Sequence, residues 1–352
     1  MKKHLSHKAG QFLMVGLSST ELTAQEADFL RQVQPKGIIY FRRNVANPNQ
    51  LIDLTRQVQS CLAHTAIIGI DQEGGRVARL SDPFTVFPGN ESLAEDYMRT
   101  GDPQWIIKKA KWMARELKAI GVNCNFTPVA DVQTNPNNPI MLGRTFGSDP
   151  EVVAKLVAAT IDVFEDEAVL SCAKHFPGHG DTIVDSHLEL PHVDTDRNTL
   201  LSRELIPFAR AVKHRVPMIM TAHIMYPEID PQHPATLSKY FLQTLLRKKL
   251  DFQGCIVSDD LEMKAIAHHY KIDQACVASI MAGCNMALVC EDQVLAYACY
   301  EALQQKIDHK DLQARLQENQ KLFRQWDQSY LRSKRLRKRA QWGWTSHHFP
   351  QI

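Results

Sequence analysis

Acidic, basic and imidazole side chains collect in five short stretches of this chain. Asp71 and Glu73 precede the glycine pair Gly74-Gly75, with Arg76 and Arg79 close behind. Asp131 leads into Asn135-Pro136-Asn137-Asn138-Pro139, and Arg144 follows. The densest run is Lys174-His175-Phe176-Pro177-Gly178-His179-Gly180-Asp181-Thr182, continued by Asp185-Ser186-His187. His223 follows Thr221-Ala222, and Asp259-Asp260 follow Ser258. Carboxylates and imidazoles brought together are the groups that attack as nucleophiles and that give and take protons. The histidines at 175, 179, 187 and 192 raise the alternative of a metallohydrolase. They form no helical pair with a catalytic Glu between them, and they lie in a Gly/Pro loop. No metal or other cofactor is therefore expected.

Each cluster follows a short apolar run. Eight such runs read as strands, at 11–16, 37–41, 66–70, 122–128, 169–174, 217–222, 255–258 and 286–289. Several are continuous rather than alternating, as parallel strands covered on both sides should be. Between them, residues 23–34, 103–120, 150–165, 203–214, 239–249 and 272–281 carry apolar residues at helical spacing. Asp102-Pro103 and Asp149-Pro150 are cap-then-proline helix starts. Alternating strands and helices imply a parallel sheet. Eight strands favour a closed TIM-type (β/α)8 barrel, and no Gly-x-Gly-x-x-Gly follows the first strand to suggest a dinucleotide fold. In such a barrel the C-terminal strand ends share one mouth. The five polar clusters follow strands three to seven, so they are expected to meet there. Asp259 and Asp260 are adjacent, and alternation lets only one of them face the axis. Lys174 and His175 raise the same difficulty, which a turn at His175 would resolve.

The chain has 352 residues, 44% of them hydrophobic and 23% charged. A barrel takes roughly 250 residues, so a single catalytic domain over 1–330, with additional C-terminal helices after about Asp308, fits the length. Residues 331–352 form a basic tail with Arg332, Lys334, Arg335, Arg337, Lys338 and Arg339, read as a solvated helix end or a disordered tail. A net charge of +2 gives no argument for nucleic acid. No stretch approaches the ~18 apolar residues of a membrane span. Lys2, Lys3 and Lys8 precede the apolar run at 12–17, which reads as the first strand rather than a leader. A cytoplasmic monomer is expected, with eight free cysteines and no Cys-x-x-Cys pair among them.

Six strings in this order resemble the family-3 glycoside hydrolases, and within them the NagZ-type β-N-acetylglucosaminidases. They are IDQEGGRVARL at 70–80, FTPVADVQTNPNNP at 126–139, GRTFG at 143–147, KHFPGHGDT at 174–182, DSH at 185–187 and SDDLEM at 258–263. The resemblance runs from about residue 13 to 289. It implies a retaining enzyme of single-domain type, acting on N-acetylglucosamine-anhydro-N-acetylmuramic acid peptides in cell-wall recycling. It further implies Asp259 as nucleophile, and His187 as general acid then base, oriented by Asp185. Asp71, Arg79, Arg144, Lys174 and His175 would hold the sugar hydroxyls.

A histidine proton donor departs from the usual pair of carboxyl groups, yet the chemistry allows it. A neighbouring carboxylate favours the imidazolium, so a His–Asp pair keeps a transferable proton near neutral pH. Asp185 and His187 are two residues apart, and in an extended segment both side chains leave on one side. Glu73 is the competing acid. A β-N-acetylglucosaminide phosphorylase, another family-3 β-glycosidase and a non-catalytic sugar-binding protein remain as rival functions, and an acetamido-assisted route as a rival mechanism.

Overall fold

A computed structural model describes residues 8–183, 186 and 188–331 of the chain. Asp185, His187, Lys2, Lys3 and the basic cluster from Arg332 to Arg339 lie outside the described residues. Eight parallel strands close into a barrel: β1 (Leu13–Gly16), β2 (Gly37–Tyr40), β3 (Ile67–Ile70), β4 (Cys124–Asn125), β5 (Leu170–Phe176), β6 (Met218–Thr221), β7 (Cys255–Asp260) and β8 (Met286–Val289). Each strand pairs with the next in sequence, and β8 closes on β1 with Leu13 opposite Ala287. The fold class expected from alternating strand and helix signals is the one observed.

Alternation along the strands divides the core in two. Met14, Ile39, Ile67, Cys124, Leu170, Cys172, Met218, Met220, Cys255, Val257, Met286 and Leu288 fill the barrel interior. Their neighbours Leu13, Val15, Ile38, Ile68, Ala173, Ile219, Ile256 and Ala287 pack outward under the helices. The interior is rich in sulfur. Unbranched methionine and small cysteine fill irregular space between tilted strands. All eight cysteines are free and buried.

The helices start where local chemistry dictates. The Asp149 side chain accepts the N–H groups of Glu151 and Val152 ahead of Pro150, and Thr23 and Glu26 form a reciprocal capping box. Helices Pro48–Cys61, Asn90–Thr100 and Gln293–Gln305 add to the six read from periodicity. Helix Lys310–Trp326 lies across the N-terminal end of the barrel. Its Phe323 and Trp326 join the interior cluster there, and its Asn319 donates to the Asn285 carbonyl at 2.8 Å. The bottom is thus sealed, and the opposite end stays open. No described helix is long and apolar enough to cross a membrane.

Candidate active site

The inward strand positions continue into the mouth. Ile67 and Gly69 point inside, and Asp71 is next on that side of β3. Cys172 leads to Lys174, and Val257 to Asp259. These residues line one pocket of about 630 Å³, together with Arg79, Arg144, His175, His179, Ser186, Asp260 and Glu262. The described members of the expected site therefore share a single opening.

Two β-bulges modify the alternation. The pairing of β5 with β6 shifts between Ala173 and Phe176, and that of β7 with β8 between Val257 and Asp260. An extra residue re-aims the side chains beside it. Lys174 and His175 both reach the pocket at the β5 irregularity, where the peptide between them is cis and the strand runs on to Phe176. Asp259 and Asp260 likewise both line it, which corrects the expectation that only one would.

The wall from β3 to β5 is a buried ionic lattice. Lys174 Nζ donates to Asp71 Oδ1 at 2.6 Å and contacts Glu73 Oε1 at 2.7 Å. Arg144 grips Glu73 with both arms, Nε to Oε2 at 2.9 Å and Nη2 to Oε1 at 2.7 Å. Arg79 Nη2 donates to Asp71 Oδ2 at 3.2 Å. Burial pushes the Asp71 carboxyl up, but Lys174 and Arg79 outweigh it and hold it below the usual range. For Glu73 burial is likewise outweighed, here by Arg144 and Lys174, and its pKa falls well below that of a free carboxylate. A carboxylate so held keeps no proton to give, which removes Glu73 as the competing acid. Lys174 is pulled down by burial and more than restored by Asp71 and Glu73, so it stays charged.

Behind this wall Asp131 organises the loop after β5. It is fully buried and accepts the N–H of His175 at 3.1 Å, the N–H of His179 at 2.7 Å and His175 Nδ1 at 2.7 Å. The loop packs so closely that a Cβ on Gly180 would lie 1.6 Å from the Val132 carbonyl oxygen, which demands glycine there. Asn90 Nδ2 donates to the Arg144 carbonyl at 2.7 Å, and the buried Lys109 holds Asn90 Oδ1 at 2.7 Å.

The wall at β7 is built differently. Asp259 Oδ1 accepts the Asp260 N–H at 2.8 Å, and Asp260 Oδ1 accepts the Glu262 N–H at 3.1 Å. Glu262 accepts the N–H groups of Cys290, Glu291 and Asp292 at 2.5, 2.7 and 2.9 Å. Burial and the nearby Glu262 charge push Asp260 up to about 7. His223 sits buried below, its Nε2 2.9 Å from the Asp260 carbonyl.

An ion-paired wall facing a cluster of carboxylates, at the C-terminal end of a barrel, suits sugar binding and attack at a glycosidic carbon. Residues 4–322 match the family model described as the glycosyl hydrolase family 3 N terminal domain. The chain belongs to glycosyl hydrolase family 3. A curated member, β-hexosaminidase A from Pseudoalteromonas piscicida, is 41% identical over 288 residues, covering 77% of this chain and 48% of that protein. A family-3 β-N-acetylglucosaminidase from Paenibacillus sp. str. FPU-7 superposes with a TM-score of 0.88 at 35% identity, over 93% of this chain and 62% of that one. NagZ from Neisseria gonorrhoeae, solved in complex with N-trifluoroacetyl-D-glucosamine, gives 0.77 at 30% identity over 94% and 98%. The chain thus spans about half the length of the Pseudoalteromonas protein and nearly all of the Neisseria one.

Sequence reasoning brought Asp131, Glu73, His179 and Ser186 to the mouth within their clusters, gave none of them a role there beyond Glu73 as a competing acid, and gave Glu262 no place in the pocket. Glu73 alone carried a readable signal: an acid beside Gly74-Gly75, next to a second acid in a cation-rich mouth. Ser186 and Glu262 act through backbone groups of distant loops, a pairing no spacing reveals.

Proposed function

We propose that this chain is a retaining exo-β-N-acetylglucosaminidase that removes terminal N-acetylglucosamine from N-acetylglucosamine-anhydro-N-acetylmuramic acid peptides, acting as a cytoplasmic monomer in cell-wall recycling. One observation carries the reading. Asp259 lines the same pocket as Asp71, Arg79, Arg144, Lys174 and His175, and Ser186, chain neighbour of both Asp185 and His187, lines it too. The Neisseria structure, with its N-acylglucosamine ligand, supports the substrate class.

The cations and carboxylates of the β3–β5 wall hold the sugar hydroxyls. An Asp259 oxygen attacks the anomeric carbon while the bond to the leaving oxygen breaks, and His187, its imidazolium favoured by Asp185, gives that oxygen a proton. His187 then takes a proton from water. The water oxygen attacks the same carbon, the ester to Asp259 breaks, and the sugar leaves with retained configuration. Turnover of an aryl β-N-acetylglucosaminide beside the matching β-glucoside tests the proposal, for the native chain and Asp259→Ala. Strong preference for the N-acetyl sugar, abolished in the variant, is expected. Equal turnover of both sugars would remove the substrate assignment, and an active variant would remove the nucleophile.

A further inference from the structure

The strand that carries Asp259 ends on an irregular edge. β7 meets β8 with Val257 opposite Met286 and then with Asp260 opposite Leu288, so Ser258 and Asp259 together face the single residue Ala287. A bulge of this kind disrupts the ladder, and the backbone groups beside it need other partners. Side chains of β7 and of the turn after it supply them. Ser258 Oγ accepts the Leu288 N–H at 3.0 Å. Farther along, the Glu262 carboxylate accepts three consecutive N–H groups, with Oε2 taking those of Cys290 and Glu291 and Oε1 that of Asp292. Between these two links the Leu261 N–H crosses to the Leu288 carbonyl at 3.1 Å.

The seat that receives Glu262 is itself fixed. Arg43, from the exit of β2, donates through Nη2 to the Cys290 carbonyl and through Nε to the Leu17 carbonyl, the latter at 2.9 Å. Gly16 packs so closely that a Cβ there would lie 1.9 Å from the Cys290 oxygen. The three amides are therefore anchored where β8 closes on β1. From Glu262 the contacts run back to the nucleophile. Asp260 Oδ1 holds the Glu262 N–H, and Asp259 Oδ1 holds the Asp260 N–H. Glu262 commits both of its oxygens to backbone donors, which suits it to fastening the turn rather than to attack.

We propose that Glu262 is a positioning residue: by gripping the three amides after β8 it fixes the turn after β7 and so sets the aim of the Asp259 carboxylate. This rests on the reading of Asp259 as nucleophile. Glu262 replaces, with one side chain, the backbone pairing that the bulge gives up. The bulge brings Asp259 and Asp260 into the mouth, and the Glu262 clamp keeps that exit from moving. Placement within about 0.5 Å is what such constellations need.

The test follows covalent trapping by an activated, fluorinated N-acetylglucosaminide that slows the second step, in the native chain, Glu262→Ala, Glu262→Gln and an Asp259→Ala reference. Its concentration dependence separates the limiting trapping rate, which reads attack, from the half-saturating concentration, which reads sugar binding. Glu262→Ala is expected to trap more slowly by about thirtyfold or more, because a misplacement of about 1 Å can cost about a hundredfold. Half-saturation should move by less than about threefold, since the β3–β5 wall is untouched. Glu262→Gln keeps one acceptor oxygen for the Cys290 and Glu291 N–H groups, so its loss should stay under about tenfold and be confined to the rate. If Asp259→Ala still takes up the sugar, or the native adduct lies on another residue, the nucleophile reading fails and the clamp with it. If the native adduct sits on Asp259 while both Glu262 variants trap at the native rate, or lose rate and binding in step, the clamp alone is overturned. Should Glu262→Ala fail to fold, Glu262→Gln decides on the same two readouts.

Discussion

The two walls of the pocket hold their charges in opposite ways. On the β3–β5 side, two carboxylates, Asp71 and Glu73, interlock with three cations, Arg79, Arg144 and Lys174, with Glu73 and Lys174 both 2% exposed or less. On the β7 side, Asp260 and Glu262 are held by backbone N–H groups. Interlocked charges fix both geometry and protonation state, as a rigid sugar-binding surface requires. Carboxylates crowded together on amides stay responsive to one another, and Asp260 is already displaced to about 7. On the proposed reading, the first wall binds the sugar and the second reacts with it.

That division is broken most sharply by Asp259→Ala. Loss of a nucleophile that acts as part of a unit should lower kcat by about 10⁴–10⁶-fold, with KM far less affected. A loss under tenfold in steady-state assays would place the reacting group elsewhere. The same substitution should hardly touch stability. On the opposite wall the balance reverses. Arg144→Ala strips Glu73 of its bidentate partner inside the protein, and breaking such a pair costs about 3–5 kcal/mol. Urea unfolding should register that drop in Arg144→Ala and not in Asp259→Ala. Equal destabilisation would erase the contrast between the walls.

Much of this division was legible in the sequence. Eight apolar runs with helical stretches between them determine the barrel, and polar residues at strand exits determine the mouth. Asp71, Lys174 and Asp259 lie on the inward parity of their strands, but in the sequence alternation alone did not choose between Asp259 and Asp260, which the family resemblance did. The pocket places of His175 and Asp260 do not follow from parity, because bulges in β5 and β7 depend on the neighbouring strand's pairing rather than on any local pattern. Helix Pro48–Cys61 carries the same cap-and-proline signal as Asp149-Pro150, with the Asn47 side chain accepting the Gln50 N–H. That helix was readable and was overlooked. The ionic lattice was not readable, since Glu73, Arg144 and Lys174 converge from three separate exits.

Two finer effects sharpen the comparison. Asp260→Asn removes a group that ionises near neutral pH beside the nucleophile. Its kcat/KM should fall by no more than about tenfold, ~1.4 kcal/mol of barrier, and an inflection between pH 6 and 8 should vanish from the rate profile. A profile unchanged in shape would mean that Asp260 takes no part in tuning the reacting wall. The smallest effect concerns acid stability. Asp71, Glu73 and Asp131 all have folded-state pKa values depressed below their unfolded ones. Their contribution is complete above the ordinary carboxylate pKa of about 4 and is lost as pH falls below it. Melting temperature should therefore drop steeply below pH 4 in the native chain and more gently in Glu73→Gln. Parallel curves would contradict the lattice as the origin of that slope.

The central claim is that Asp259 forms the bond to the sugar. Incubation with an activated, fluorinated N-acetylglucosaminide that slows the second step, followed by intact-mass and peptide mass spectrometry, addresses it directly. One sugar per chain is expected, esterified to Asp259. Turnover with no adduct, or a sugar carried by Asp260 or Glu262 instead, would contradict it.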